Sequence, residues 1–162
     1  MSELKEKIIS ILTEDSRLSV KSVATMCGVS NDDVEKAIVE LEEDGVILKY
    51  SLVVDTNKLE KGVEALIEVK VTPERTKGFD AIAQEIYNFD EVKSVFLMSG
   101  GFDLAVFIEG RTLKEVAMFV SEKLSTMNCV VSTATHFILK RYKSNGVIFD
   151  GDASENRIAV HP

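Results

Sequence analysis

Apolar residues recur at spacings of three and four through the first third of the chain, then switch to alternation. Leu4, Ile8, Ile11 and Leu12 make one helical stripe, closed by Glu14-Asp15-Ser16. Val20, Val23 and Ala24 predict a second short helix over Ser19–Met26, stopped at Cys27-Gly28, where glycine permits the left-handed conformation of a tight turn. Ser30 reads as an N-cap, with Asp33 three residues on placing a carboxylate at the helix start. Val34, Ala37, Ile38 and Leu41 form the buried stripe of the third helix, and Gly45 ends it. Two short helices around a glycine turn, the second opened by a capping serine, have the pattern of a helix-turn-helix. Spacing alone is equally compatible with a three-helix bundle that never meets nucleic acid. The β-rich run Val46–Val54 is a wing or a linking strand, and the polar Asp55-Thr56-Asn57-Lys58 is the expected hinge.

The rest of the chain predicts βαββαβ. Val63, Ala65, Ile67, Val69 and Val71 alternate with Glu64, Glu68 and Lys70, and Pro73 closes this strand. Phe79, Ile82, Ala83 and Ile86 follow at helical spacing. Val92–Met98, apolar on both faces, reads as a central strand; Ser99-Gly100-Gly101 turns the chain into a third strand over Phe102–Ile108. Leu113, Val116, Ala117, Val120 and Leu124 stripe a second helix, and Val130–Tyr142 supplies the fourth strand. This order is a ferredoxin-like unit, giving an α+β chain with a (winged) helix-turn-helix head. The expected boundaries are a head over 1–54, a hinge over 55–61, a ferredoxin-like domain over 62–143 and a tail over 144–162. A sheet with helices on one face leaves the other to be covered, which predicts a homodimer. In the tail, Asn145-Gly146 signals a hairpin turn, and Val147–Phe149 and Arg157–Val160 are candidate short strands around Asp150-Gly151-Asp152, which lacks the other ligands of a calcium loop.

Composition narrows the function. Of 162 residues, 45% are hydrophobic and 28% charged, enough for a real core, and no apolar run reaches the length of a bilayer crossing. The polar N-terminus, Met1–Lys7, does not read as a signal peptide. Cys27 and Cys129 are far apart, so they suggest neither a zinc site nor a disulfide framework, and fit a reducing cytoplasm. No metal site, cofactor or nucleophile–base set is visible. The net charge of −8 opposes general attraction to a polyanion, so DNA binding requires a local patch.

Three segments besides the helical head carry a resemblance. The head itself ends in Leu41-Glu42-Glu43-Asp44-Gly45-Val46-Ile47; Ile11–Ser19 matches a first-helix exit, Ser99-Gly100-Gly101-Phe102-Asp103 a glycine–aromatic–aspartate turn, and Thr133–Lys140 a last long strand. Together they resemble the Lrp/AsnC family of bacterial and archaeal regulators, across nearly the whole chain except the last twenty residues. The resemblance implies a DNA-binding regulator, not an enzyme, whose body domains form dimers and in many members octamers. A small effector, usually an amino acid, binds in clefts between dimers. By that resemblance, Ser99, Gly100, Gly101, Phe102 and Asp103 supply backbone amides for a carboxylate and Asp103 for an ammonium group, while Thr133 and Thr135, two apart on a strand, complete the cleft. The alternative for the turn is structural: glycines that permit a hairpin and an aspartate that caps it. His136 faces away from both threonines and reads as structural.

The third helix departs from the family pattern. Between Ser30 and Asp44 seven acids face a single basic residue, Lys36, for a net charge of −6. One reading gives base contacts to Ser30, Asn31 and Lys36 at the helix start and phosphate contacts to Arg17, Lys21 and Lys49. Another is weak single-site binding offset by many subunits acting together. Two further classes stay open: an enzyme like the siroheme decarboxylases, for which only His136 and His161 are on offer, and a sensor that modulates a DNA-competent sibling without binding DNA.

Overall fold

The computed structural model describes residues 1–59, 62–72 and 78–149. Pro73 and the tail from Asp150, with its acidic loop, the Arg157–Val160 segment and His161, lie outside the described residues. The chain divides into two compact units, Met1–Val53 and Val54–Pro162.

The head is three helices: α1 (Glu3–Glu14), α2 (Val20–Cys27) and α3 (Asn31–Glu43). Each begins at a serine whose side chain accepts a backbone N–H three residues on: Ser2 from Lys5, Ser19 from Ser22 and Ser30 from Asp33. At α3 the cap is reciprocal, since the Asp33 carboxylate also accepts from the Ser30 amide. Gly28 ends α2 at φ 73° with its N–H on the Ala24 carbonyl, the left-handed close that only glycine adopts cheaply. The stripes read from sequence meet in one core: Ile8, Val23, Ala24, Val34, Ala37 and Leu41 are buried, with Leu4, Ile11, Leu12, Val20, Ile38 and Ile47 packed around them.

The segment Val46–Val54, expected as a wing or a linking strand, follows α3 directly. It forms no strand; the Val46 and Ile47 amides return to the Leu41 carbonyl. Strand propensity needs a ladder partner, and none is found among the described residues; Leu48 and Leu52 stand 86% and 75% exposed.

The second unit carries β1 (Val63–Val71), α4 (Gly78–Tyr87), β2 (Val92–Leu97), β3 (Leu104–Gly110), α5 (Leu113–Met118) running on as a π-helical stretch over Phe119–Leu124, and β4 (Val130–Phe137). The four strands form one sheet in the order β2-β3-β1-β4, every pair antiparallel, which is the ferredoxin-like arrangement. The order corrects the placing of Val92–Met98: β2 is an edge strand, and β3 and β1 are central. Its doubly apolar pattern reflects Val95 on the helix side and Phe96, 52% exposed, on the other. The helix side is the core, where Ala65, Ile67, Val69, Leu104, Val106 and Ile108 pack with Ile82, Ile86, Val116, Phe119 and Leu124. Beyond β4, Asn145 (φ 48°) and Gly146 (φ 83°) form the expected tight turn, but Val147–Ile148 (β6) pairs back with Lys143–Ser144 (β5).

Candidate nucleic-acid interface and effector site

The outward face of α3 follows from its buried one. With Val34, Ala37 and Leu41 inside and a rotation of about 100° per residue, Asp32, Lys36, Val39 and Glu43 lie on the opposite side, with Glu35 beside them. All five are exposed, as are Ser30 and Asn31 at the start of the helix. Ser30 is spent on the cap, whereas Asn31 and Lys36 stand free of any hydrogen bond among the described residues.

The helix is less bare of counter-groups than its charge suggests. Asp33 is held by the cap, where Ser30 Oγ donates to it at 2.6 Å. Glu42 accepts the Tyr50 hydroxyl at 2.8 Å. Lys5 of α1 reaches Glu40 at 3.0 Å and Asp44 at 3.6 Å. That contact holds the Glu40 carboxyl below its usual range and lifts the Lys5 ammonium above its own, in both cases chiefly through the hydrogen bond between them. Asp32, Glu35 and Glu43 have no such partner among the described residues. No short-range pattern announces the Lys5–Glu40 pair, because the two residues are 35 positions apart and meet only when α1 packs on α3.

The remaining candidate phosphate contacts sit apart. Lys21, exposed on α2, and Lys49, exposed beyond α3, carry no ion pair among the described residues. Arg17, in the turn between α1 and α2, is tied to Asp15 through Nε at 3.2 Å, and its backbone N–H donates to the same carboxylate at 3.0 Å. The guanidinium's hydrogen bond keeps the Asp15 carboxyl below the usual range. Only Nε and Nη2 face Asp15, so the exposed guanidinium keeps further N–H donors for a phosphate.

In the second unit, Ser99, Gly100 and Gly101 are exposed at the turn between β2 and β3, and Phe102 and Asp103 are half-buried. Gly100 adopts φ 153°, a conformation that a side chain rarely tolerates. Asp103 locks this turn to β1. Its amide donates to the Val69 carbonyl at 3.0 Å, its carbonyl accepts from Met98 at 2.8 Å, and its Oδ2 accepts from the Val71 amide at 2.8 Å. The Asp103 side chain is thus held by an amide of the neighbouring strand, and its second carboxylate oxygen has no partner among the described residues.

Thr133 pairs with Val69 and Thr135 with Ile67, so both half-buried threonines lie on the helix side of the sheet, sharing a face as their spacing requires. Val69 pairs on its other flank with Leu104, next to Asp103. The turn and Thr133 therefore share one end of the sheet with β1 between them, about 10 Å apart by strand spacing. His136 pairs with Leu66 on the opposite face, where its Nε2 lies 3.3 Å from Glu68. Among the described residues no group of three His, Cys, Asp or Glu side chains is placed to hold a metal ion.

A helix-turn-helix head joined to a ferredoxin-like body defines a DNA-binding regulator with a sensing domain, and comparison with known proteins agrees. Residues 1–47 match the winged helix-turn-helix DNA-binding family model, and residues 64–148 match the Lrp/AsnC ligand binding domain. The chain belongs to the Lrp/AsnC family and is a DNA-binding transcriptional regulator with a ligand-binding domain. It is 47% identical to the HTH-type transcriptional regulator YugG of Bacillus subtilis over 100% of this chain and 99% of that one. The proline dehydrogenase transcriptional activator of Rhizobium radiobacter is 26% identical over 87% of this chain and 90% of its own. Among solved structures, the Neisseria meningitidis regulator NMB0573, determined as a complex with L-Met, superposes with a TM-score of 0.74 at 21% identity, covering 89% of this chain and 93% of that one. The relatives are named as regulators, not enzymes, and the siroheme-decarboxylase alternative gives way to that.

Proposed function

We propose that this regulator acts as a homodimer, assembling further into octamers, and that a small effector, an amino acid, controls its hold on DNA. The observation that carries dimerisation is the uncovered face of the sheet. Leu66, Phe107 and Phe96 are only half-buried or exposed there, with Phe96 and Phe107 meeting edge to face at 6.0 Å around the buried Ala105. Charged neighbours rim the patch: Glu64 with Arg141, Glu68 with His136, and Lys93 with Glu109. An apolar centre with a paired polar rim suits a second copy of the same surface. The segment Val46–Val54 points the same way, since it joins no strand among the described residues and Leu48, Leu52 and Val53 are exposed.

The effector reading rests on the turn at Ser99–Asp103. Its exposed amides suit a carboxylate, and the second oxygen of Asp103 suits an ammonium, the two charged ends of an amino acid. Thr133 stands at the same end of the sheet, and Thr135 shares its face one step further along the strand. The L-Met bound by the Neisseria relative and the proline dehydrogenase activator's name agree with this class of ligand. Arg17, Lys21, Asn31, Lys36 and Lys49 are the residues offered to DNA, in a protein that works in the cytoplasm. Linkage connects the two functions: a ligand that bridges two dimers stabilises the assembly that forms its pocket.

The test is a fluorescence-anisotropy titration against the protein's own promoter region, at two salt concentrations, with and without mixed amino acids. Salt-sensitive binding that shifts with one amino acid is expected. Binding that no amino acid moves would remove the effector assignment. Sedimentation showing a stable monomer at micromolar concentration would remove the dimer.

A further inference from the structure

We infer that α3 selects cytosine, with Glu35 and Asp32 as the specificity-determining residues; this rests on the DNA-binding reading of the head. In a helix-turn-helix the N-terminal half of the second helix reaches the base edges. In α3 that half presents Asn31, Asp32, Glu35 and Lys36, all exposed. Of the other five acids, Asp33 is engaged by the cap, Glu42 by Tyr50, and Glu40 and Asp44 by Lys5, while Glu43 ends the helix, away from its base-reading half. Asp32 and Glu35 alone are uncommitted carboxylates at base-reading positions, in a segment that independently matches a DNA-binding model over residues 1–47.

A carboxylate only accepts hydrogen bonds, and phosphate offers it none, so its favourable partner on a duplex is a base donor in the major groove. Guanine presents two acceptors there, and thymine an acceptor beside its methyl. Adenine sets its amino group next to the acceptor N7, which repels a carboxylate. Cytosine alone presents a donor, N4–H2, with no acceptor on its own major-groove edge, the neighbouring O6 belonging to the paired guanine. Lys36, next in sequence to Glu35, has the complementary chemistry for the O6 and N7 of the paired guanine. The same carboxylates repel the backbone wherever the groove offers no cytosine, so they penalise non-specific binding while rewarding the right site.

The experiment is selection of bound duplexes from a random library by the full chain, comparing wild type with Glu35→Ala, Asp32→Ala and Glu35→Gln, all changes on exposed positions. Wild type is expected to enrich C·G pairs in each half-site. The alanine variants should lose that enrichment, with discrimination falling about tenfold, and should bind non-specific duplex more tightly. Glu35→Gln should move the preference from cytosine to adenine, because an amide both donates to N7 and accepts from N6. A motif shared unchanged by wild type and all variants overturns this inference and leaves the regulator intact. A wild type that enriches no duplex overturns the DNA-binding reading, and this inference with it.

Discussion

The third helix of the head draws its candidate contacts from the short stretch Asn31–Lys36, whereas the turn at Ser99–Asp103 is held by the Val71 amide, 32 residues earlier in the chain. The first region needs only a helix of the right phase, because one rotation of the chain decides which residues face out. The second exists only once β3 lies against β1 and β1 against β4. A local site tolerates a loosened core so long as the helix survives, while a site assembled across three strands moves with the sheet. The two also differ in their spent groups: Ser30 and Asp33 satisfy each other within one turn of chain, but Asp103 satisfies a distant amide and still offers an oxygen to solvent.

The largest expected effects come from the two cores. Ile67→Ala and Leu41→Ala each empty a fully packed position, in the sheet and in the head respectively, and should cost about 2–5 kcal/mol. Because the two clusters are separate, hydrogen exchange should lose protection in the body for the first and in the head for the second. Loss in both units from either change would show that they fold as one.

Asp103→Ala comes next. It strips the acceptor from the Val71 amide and should cost about 1–3 kcal/mol in urea denaturation. Asp103→Asn keeps an acceptor oxygen, so it should cost less, yet it removes the charge that an ammonium group would meet. A stable Asn variant that no longer responds to the effector would separate scaffold from ligand contact. Equal destabilisation by both changes would mean that the charge, not the hydrogen bond, holds the turn.

Ser30→Ala tests the local region in the same way and should lower head stability by about 1 kcal/mol in thermal melts, since the cap loses its acceptor for the Asp33 amide. The smallest effect belongs to the surface contact of Lys5 with Glu40. Glu40 is held below its ordinary value of 4.5, so its contribution is present above that pH and fades as pH falls through the lowered value. Lys5 is raised above 10.5, so its contribution is present below that pH and fades as pH climbs past the raised value. Lys5→Met should lower the head's melting temperature slightly across the neutral range, where the pair is intact, and leave it unchanged at both extremes, where the pair is already lost.

Much of the fold was legible because its signals are short-range. The Ser30 cap, the Gly28 stop and the Asn145-Gly146 turn each arise within four residues, and each stands where the pattern puts it. The buried stripes were legible for the same reason, since helical phase and strand alternation are one-dimensional. The errors have a common origin. Val92–Met98 has the doubly apolar pattern of a central strand, but that pattern records what will be covered, not by which element. Val46–Val54 carries strand residues that find no ladder partner among the described residues.

At the candidate sites the same division holds. By itself the sequence determined the order of elements, the phase of α3 and the acidic character of its outer face, because these depend on periodicity and residue type. Tertiary structure decided which of those acids are spoken for: Lys5 reaches Glu40 and Asp44 only when α1 packs on α3, and Tyr50 reaches Glu42 only when the chain turns back beyond Gly45. It also decided that Asp103 binds Val71 and that Thr133 stands one strand beyond, since strand order follows from which apolar faces can be buried together. Charge along the chain is local, but the partner that neutralises it is chosen in three dimensions.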